Sequence, residues 1–299
     1  MRKLAVVVVP VYRKFMPSEA FAFAQCLNVL GRYDISLLHP AGFDVSDIVR
    51  TASRTIGHVA MDDQWFRSID SYNALCLSAD FYDAYAAYEY MLIYQLDAYA
   101  FRDELADWCA RGYDYIGAPW LPNDTPYERT LGDAVRWVRR TIHPAGTTQK
   151  ITHAQTHYHV GNGGFSLRRV AKMKAVVEEF RGLIDSMDPK ERRAKEDVFF
   201  STYIQRQAGI SVPDWREGLQ FAFENSPAMA LRLAKGHLPF GCHYWSKGNV
   251  WKDFFDTVFI CNILSCISCC FCKSDSCLNN LLYFFICCYY KSSCLIKSC

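Results

Sequence analysis

An α/β fold, with a mostly parallel sheet and helices packed on both of its faces, is what this 299-residue chain predicts, on three observations. Short apolar runs alternate with amphipathic stretches of helical length up to residue 120, the pattern of repeated strand–helix–strand units. The first run, LAVVVVPVY, is apolar at consecutive rather than alternate positions, as a strand covered on both faces is. Hydrophobic residues make up 51% of the chain, enough to fill the core of one domain and too many for a disordered polymer.

The elements follow in order. LAVVVVPVY contains Pro10 and runs straight into Arg13 and Lys14 with no small-residue cleavage site, so it reads as a strand rather than a secretion signal. A helix is expected over Pro17 to Leu30, with Ser18 and Glu19 in its first turn and Gly31 as its stop. DISLLHP and GHVAMDD are the second and third strands, and SADFYDAYAAY is a helix capped by Ser78. YMLIYQLDAYAF is a buried strand with a polar step at Gln95 and Asp97; RDELADWCARG, with Asp103 placed to cap it, is a helix, and YDYIGAPW closes the series as a strand. Residues 121–157, with a stray AVRWVRR, form a long loop or lid; a helix from Arg169 to Ile184 follows the glycine segment HVGNGGFSLR. With no internal repeat and no linker, residues 1–258 form a single domain.

Charge and cysteine usage narrow the function. The net charge of +2, with no basic run, gives no footprint for nucleic acid. Of 14 cysteines, only Cys26, Cys76, Cys109 and Cys242 precede residue 259, widely spaced and without a CxxC pair, which suits a reduced, cytoplasmic protein. The other ten fall in residues 259–299, a low-complexity tail that lacks Ala, Gly, Pro, Val, Glu and Arg. So abrupt a shift reads as translated non-coding or out-of-frame sequence, outside the fold. A membrane-associated tail is the alternative, but its uncharged runs of 16 and 14 residues fall short of the ~20 that a spanning helix needs.

Four groups could carry chemistry. Asp97, at the exit of an apolar strand, is badly placed for a core and well placed for a cation or a sugar hydroxyl. Glu196 and Asp197 open the helix that carries Phe199 and Phe200; a helix dipole favours acids there and keeps Asp197 ionised, as suits a base accepting a hydroxyl proton. His243, in PFGCHYW, is either a core imidazole or a ligand. In the glycine segment, Asn162, Gly163 and Gly164 make either a tight turn or a place where backbone comes close to a ligand. His153, His157 and His159 have a metal-like spacing but precede a turn without a partnered carboxylate, and are not read as a site.

Together these blocks resemble an uncharacterised glycosyltransferase-like family, a domain of unknown function similar to GT-A fold glycosyltransferases. PVY, YNALCLSADFY, LIYQLDAYAF, GYDYIGAPW, GNGGFSLR, EDVFF and LPFGCHYW occur in that order over roughly residues 4–246. The resemblance implies a GT-A-like, Rossmann-like sheet and transfer of a sugar from a nucleotide-sugar donor to a hydroxyl of a glycan or other acceptor. It implies that Tyr12, Asn73, Gln95, Asn162, Gly163 and Gly164 bind the donor, with Tyr12 against the base and the glycine segment beside the sugar. Asp97 and His243 would hold Mn²⁺ or Mg²⁺ at the diphosphate. Asp197, with Glu196 beside it, would take the acceptor proton, giving inversion, and Trp120, Trp215, Tyr244 and Trp245 could stack on the acceptor. One departure stands out: the first acid of the family's Asp-x-Asp metal motif is Gln95 here. A non-catalytic glycan- or nucleotide-binding protein is therefore the alternative.

Overall fold

The computed structural model describes residues 2–122, 151, 153–246, 251 and 254, with backbone only for 153 and 154. Chain contacts divide the protein into two compact units, Met1–Trp245 and Ser246–Cys299. Both sheets belong to the first unit. The AVRWVRR segment, the side chain of His153 and the whole 259–299 tail lie outside the described residues.

The central sheet has six strands, β1 (Lys3–Pro10), β2 (Asp34–Pro40), β3 (Gly57–Met61), β4 (Tyr88–Tyr94), β6 (Tyr115–Gly117) and β7 (Phe165–Arg169), in the order β3-β2-β1-β4-β7-β6. β3, β2, β1 and β4 pair in parallel, while β7 runs antiparallel to both β4 and β6, so five of the six strands point one way. A second sheet, β5-β9-β8, joins Ala98–Ala100, Gly241–His243 and Ala222–Phe223.

β1 shows why the sheet is covered on both sides. Val7 and Val9 enter one apolar cluster with Cys26 and Leu30 of the helix Pro17–Leu30; Val6 and Val8 enter the other, with Met173 and Val177 of the helix Val170–Glu179. Alternate side chains of a strand point to opposite faces, and here both faces are dry.

The first helix, β1, β2 and β3 lie where the sequence places them, and Ser78 caps Ala79–Asp83 by accepting from the Phe81 N–H. Two expectations are corrected. YMLIYQLDAYAF is not one strand: after Tyr94 the Ala98 N–H donates to the Gln95 carbonyl at 2.8 Å, and the chain turns out of the first sheet into the second. Gln95 and Asp97 are too polar to continue through an apolar layer. Nor is FSLRR, which leads directly into the helix at Val170, part of the glycine turn. It is strand β7, with Phe165 and Leu167 in one core cluster and Arg168 fully buried on the opposite side. The expected helix from Arg169 to Ile184 is two, Val170–Glu179 and Arg181–Ser186, separated at Phe180.

Candidate active site

The polar groups converge where the parallel strands end. In open α/β sheets ligands lie outside the carboxyl ends of the strands, where no side chain of the next element fills the space. Asp97 sits in the turn between β4 and β5. The β5–β9 pairing places Ala98 opposite His243, and the β8–β9 pairing places Phe223 opposite Cys242, so Asp97, His243 and Glu224 become neighbours from three distant parts of the sequence.

His243 is the centre of this group, its side chain only 8% exposed. Its Nε2 lies 3.1 Å from Asp97 Oδ1 and 3.2 Å from Gln95 Oε1, and its Nδ1 lies 3.6 Å from Glu224 Oε1. Burial alone would lower the imidazole pKa, but the carboxylates of Asp97 and Glu224 outweigh it and hold it up at about 9. His243 thus stands between two acids. Immediately after it, Tyr244 adopts a left-handed backbone (φ 70) that is uncommon for a bulky residue.

The glycine segment forms a wall of this site, and its glycines have a definite cause. A Cβ on Gly164 would stand 2.2 Å from His243 Nε2, and one on Gly163 would stand 1.9 Å from Glu196 Oε1. The absent side chains let His243 and Glu196 close on the backbone. Asn162 is buried; its Oδ1 accepts from the Gly164 N–H at 3.1 Å and its amide donates to Glu224 Oε1 in a short contact.

Glu196 and Asp197 approach from the other side. The helix they open is one turn, Glu196–Val198, which passes into a π turn, Phe199–Tyr203, closed by Ile204 N–H to the Phe199 carbonyl. Single π turns inside helices often mark functional sites. Glu196 points inward against Arg168, 2.8 Å away and fully buried beneath the sheet end. Burial pushes the Glu196 carboxyl up to about 7, with Arg168 opposing the shift. Arg168 is braced by Ser166 Oγ at 3.2 Å, by Tyr82 OH at 3.4 Å and by the face of Tyr115.

Burial raises the Asp197 carboxyl above the usual range, Glu224 adding to the shift while the Val198 N–H and Arg192 oppose it. A three-residue helix has little macrodipole to offer. A raised pKa still suits a base, since proton acceptance is most effective near the working pH.

The remaining candidates divide. Tyr12 is exposed just beyond β1, at the strand-end rim, beside an Arg13–Glu19 pair whose carboxylate also accepts the Met16 N–H. Asn73 is buried with both amide ends on backbone: it accepts from Glu196 N–H at 2.8 Å and donates to the Ile69 carbonyl at 2.7 Å, so it holds the Glu196 turn in place. Of the aromatics, Tyr244 is exposed, Trp245 packs on Phe21 and Tyr99, Trp215 packs on Tyr158, and Trp120 lies over Gly161. Glu224, Arg168 and Arg192 were not anticipated. Arg192 donates to Thr156 Oγ1 at 2.8 Å and lies near enough to Asp197 and Glu224 to feel both charges. The only sequence signal for Glu224 is an acid ending the apolar alternation FAFE.

No group of three or more His, Cys, Asp or Glu placed to hold a metal occurs among the described residues. The Asp97–His243 spacing nevertheless fits two adjacent ligands, since oxygen and nitrogen donors each ~2.1 Å from one ion stand about 3 Å apart. An ion there would need its other ligands from a substrate and water.

Fold and site together define an α/β protein with an acidic, histidine-centred polar cluster at the carboxyl end of its sheet. Residues 55–243 match the family described as "Protein of unknown function (DUF5672)", and the chain belongs to that family. No curated protein matches it in sequence. Solved structures similar to it include glycosyltransferases. Mouse xyloside xylosyltransferase 1 aligns at 12% identity and TM-score 0.47, covering 81% of this chain and 97% of its own. Galactosyltransferase LgtC, solved with donor and acceptor sugar analogues, aligns at 14% identity and TM-score 0.47, covering 80% and 86%. The glycosyltransferase GlyE of Streptococcus pneumoniae aligns at 13% identity and TM-score 0.44, covering 82% and 55%. No helix among the described residues is long and apolar enough to cross a membrane.

Proposed function

We propose that the protein transfers a sugar from a nucleotide-sugar donor to a hydroxyl acceptor, with inversion. The observation that carries this reading is the meeting of Asp97 and His243, 3.1 Å apart and 146 residues apart in the sequence, at the strand-end rim that also holds Glu224 and Asn162. A diphosphate needs positive charge as it departs, and a sugar needs hydrogen-bonding groups along its edge. Asp97 and His243 would hold a Mn²⁺ or Mg²⁺ ion, which supplies Lewis-acid stabilisation of the diphosphate when bound. The donor lies across the strand ends, with its base toward Tyr12 and its diphosphate toward Asp97 and Gln95. Asp197 takes the proton of the acceptor hydroxyl as that oxygen bonds to the anomeric carbon. The bond from that carbon to the diphosphate breaks, and its electron pair leaves on the diphosphate oxygen. Arg168 and Asn73 hold the Glu196 turn that carries Asp197.

A second reading has one observation in its favour. Asp197 Oδ1 accepts its neighbour's Val198 N–H at 2.7 Å, an arrangement that a purely structural acid also adopts. On that reading the protein binds a glycan or nucleotide without turnover. Release of nucleoside diphosphate from a panel of nucleotide sugars, measured with mixed glycan acceptors, separates the two. Transfer supports catalysis; binding with no release by any donor leaves the binding protein.

A further inference from the structure

Two buried polar atoms at the centre of the site have no hydrogen-bond partner among the described residues: Nδ1 of His243 and Oε2 of Glu224. They belong to adjacent side chains, the Nδ1 being 3.6 Å from the other carboxylate oxygen, Glu224 Oε1, too long for a hydrogen bond. Oε1 is itself committed to the Asn162 amide. Leaving such atoms unsatisfied is costly, more so when they are charged, so buried sites rarely keep two polar atoms idle side by side. An ion held between Asp97 Oδ1 and His243 Nε2, as proposed above, would leave the one proton of the neutral ring on Nδ1, so the imidazole would present Nδ1–H on its other edge. An N–H donor beside a carboxylate acceptor is the complement of one hydroxyl, which accepts through a lone pair and donates its single proton.

We propose that Glu224 and the Nδ1 edge of His243 together recognise one hydroxyl group of the bound sugar, making Glu224 a specificity-determining residue. That the ligand is a nucleotide sugar rests on the proposed transferase function; the hydroxyl match itself rests on the two atoms. Asn162 holds Oε1 and so aims Oε2, while Gly164 lets His243 lie flat against the backbone beside it.

The test measures affinities of the full chain for UDP, GDP and their glucose, galactose, N-acetylglucosamine and mannose conjugates by calorimetry, in wild type, Glu224→Gln and Glu224→Ala. Gln is nearly isosteric; with its oxygen kept by Asn162, it sets a donor where the hydroxyl needs an acceptor. Losing a hydrogen bond to a charged group lowers affinity roughly tenfold or more, so both variants should lose about tenfold for the preferred nucleotide sugar. Affinity for the bare nucleoside diphosphate should stay within about twofold, a pattern that mere unfolding would not give. Equal affinities of wild type and Glu224→Gln for the nucleotide sugar would overturn the proposal and leave the transferase reading standing. If no nucleotide or nucleotide sugar binds wild type, that reading fails, and free monosaccharides take their place as probes. Monosaccharide binding lost in Glu224→Gln supports the hydroxyl match, and no binding of any monosaccharide to wild type overturns it.

Discussion

At Asp197 two roles make opposite forecasts. A base lost through Asp197→Asn lowers the transfer rate by ~10²–10⁴ and leaves donor affinity almost unchanged, because the base acts on the acceptor. A helix-end acid lost in the same way costs ~0.3–1 kcal/mol of stability and leaves turnover alone. Transfer rate and melting temperature measured on one preparation decide between them, and near-normal transfer would end the base assignment. Asp97 and His243 stood out in the sequence because each is a polar residue set among apolar ones, and Asp197 because it and Glu196 are adjacent acids opening a helix rich in aromatics. Glu224 did not, since its partners Asn162 and His243 lie 62 and 19 residues away and only the β8–β9 pairing brings them together. Arg168 was hidden for another reason: an arginine next to Arg169 at a helix start looks like surface, and nothing local announces that it is fully buried.

At the scale of elements, strand β7 and the Glu196 turn are fastened through one buried ion pair, Arg168–Glu196. Removing one partner of such a pair strands the other, so Arg168→Leu should cost about 3–5 kcal/mol in urea unfolding at neutral pH. Glu196 also gives stability a pH dependence of defined sign. Its folded pKa of about 7 stands above the ordinary value of 4.5, so between those pH values the folded state binds more protons than the unfolded one. Stability from this group is full below the unfolded value and declines as pH rises through the folded one. Glu196→Gln should flatten that decline in urea midpoints taken from about pH 4.5 to 7.5, a window set by the two pKa values; an unchanged slope would show that another group sets it. Gly164→Ala tests the glycine wall: a Cβ 2.2 Å from His243 Nε2 forces the ring to move, and overpacking of this kind costs typically ~1–3 kcal/mol. The strands from β1 to β4 were legible because continuous apolar runs have few other uses. β7 was not, because its five residues lie directly between a glycine-rich turn and a helix and are too short a run to separate from either.

For the molecule as a whole, the sequence places the boundary of the folded part at residue 258, and the contacts divide the chain after Trp245. The family match ends at 243, on the site histidine. Removal of residues 259–299 should therefore leave the melting temperature and any nucleotide-sugar shift unchanged, read by scanning fluorimetry on soluble protein. Loss of soluble expression on truncation would return the tail to the fold. The broad architecture was legible because alternation of strand and helix reports layers directly. The second sheet was not, since its three strands span two or three residues each and are held by pairing across the chain.

The transferase reading of the strand-end site depends on its holding a nucleotide sugar through Asp97 and His243. The thermal shift of wild type and Asp97→Asn with a nucleotide-sugar panel, with and without Mn²⁺, measures that in one step. A ligand that binds only the folded state raises stability by about 2.7 kcal/mol at a hundredfold excess over its dissociation constant, which makes the shift easy to read. One donor should stabilise wild type selectively, more with Mn²⁺ than without. Asp97→Asn should lose the Mn²⁺-dependent part, read against its own ligand-free melting temperature. Equal donor- and Mn²⁺-dependent stabilisation of both proteins, or none of wild type by any donor, would contradict a site built on Asp97.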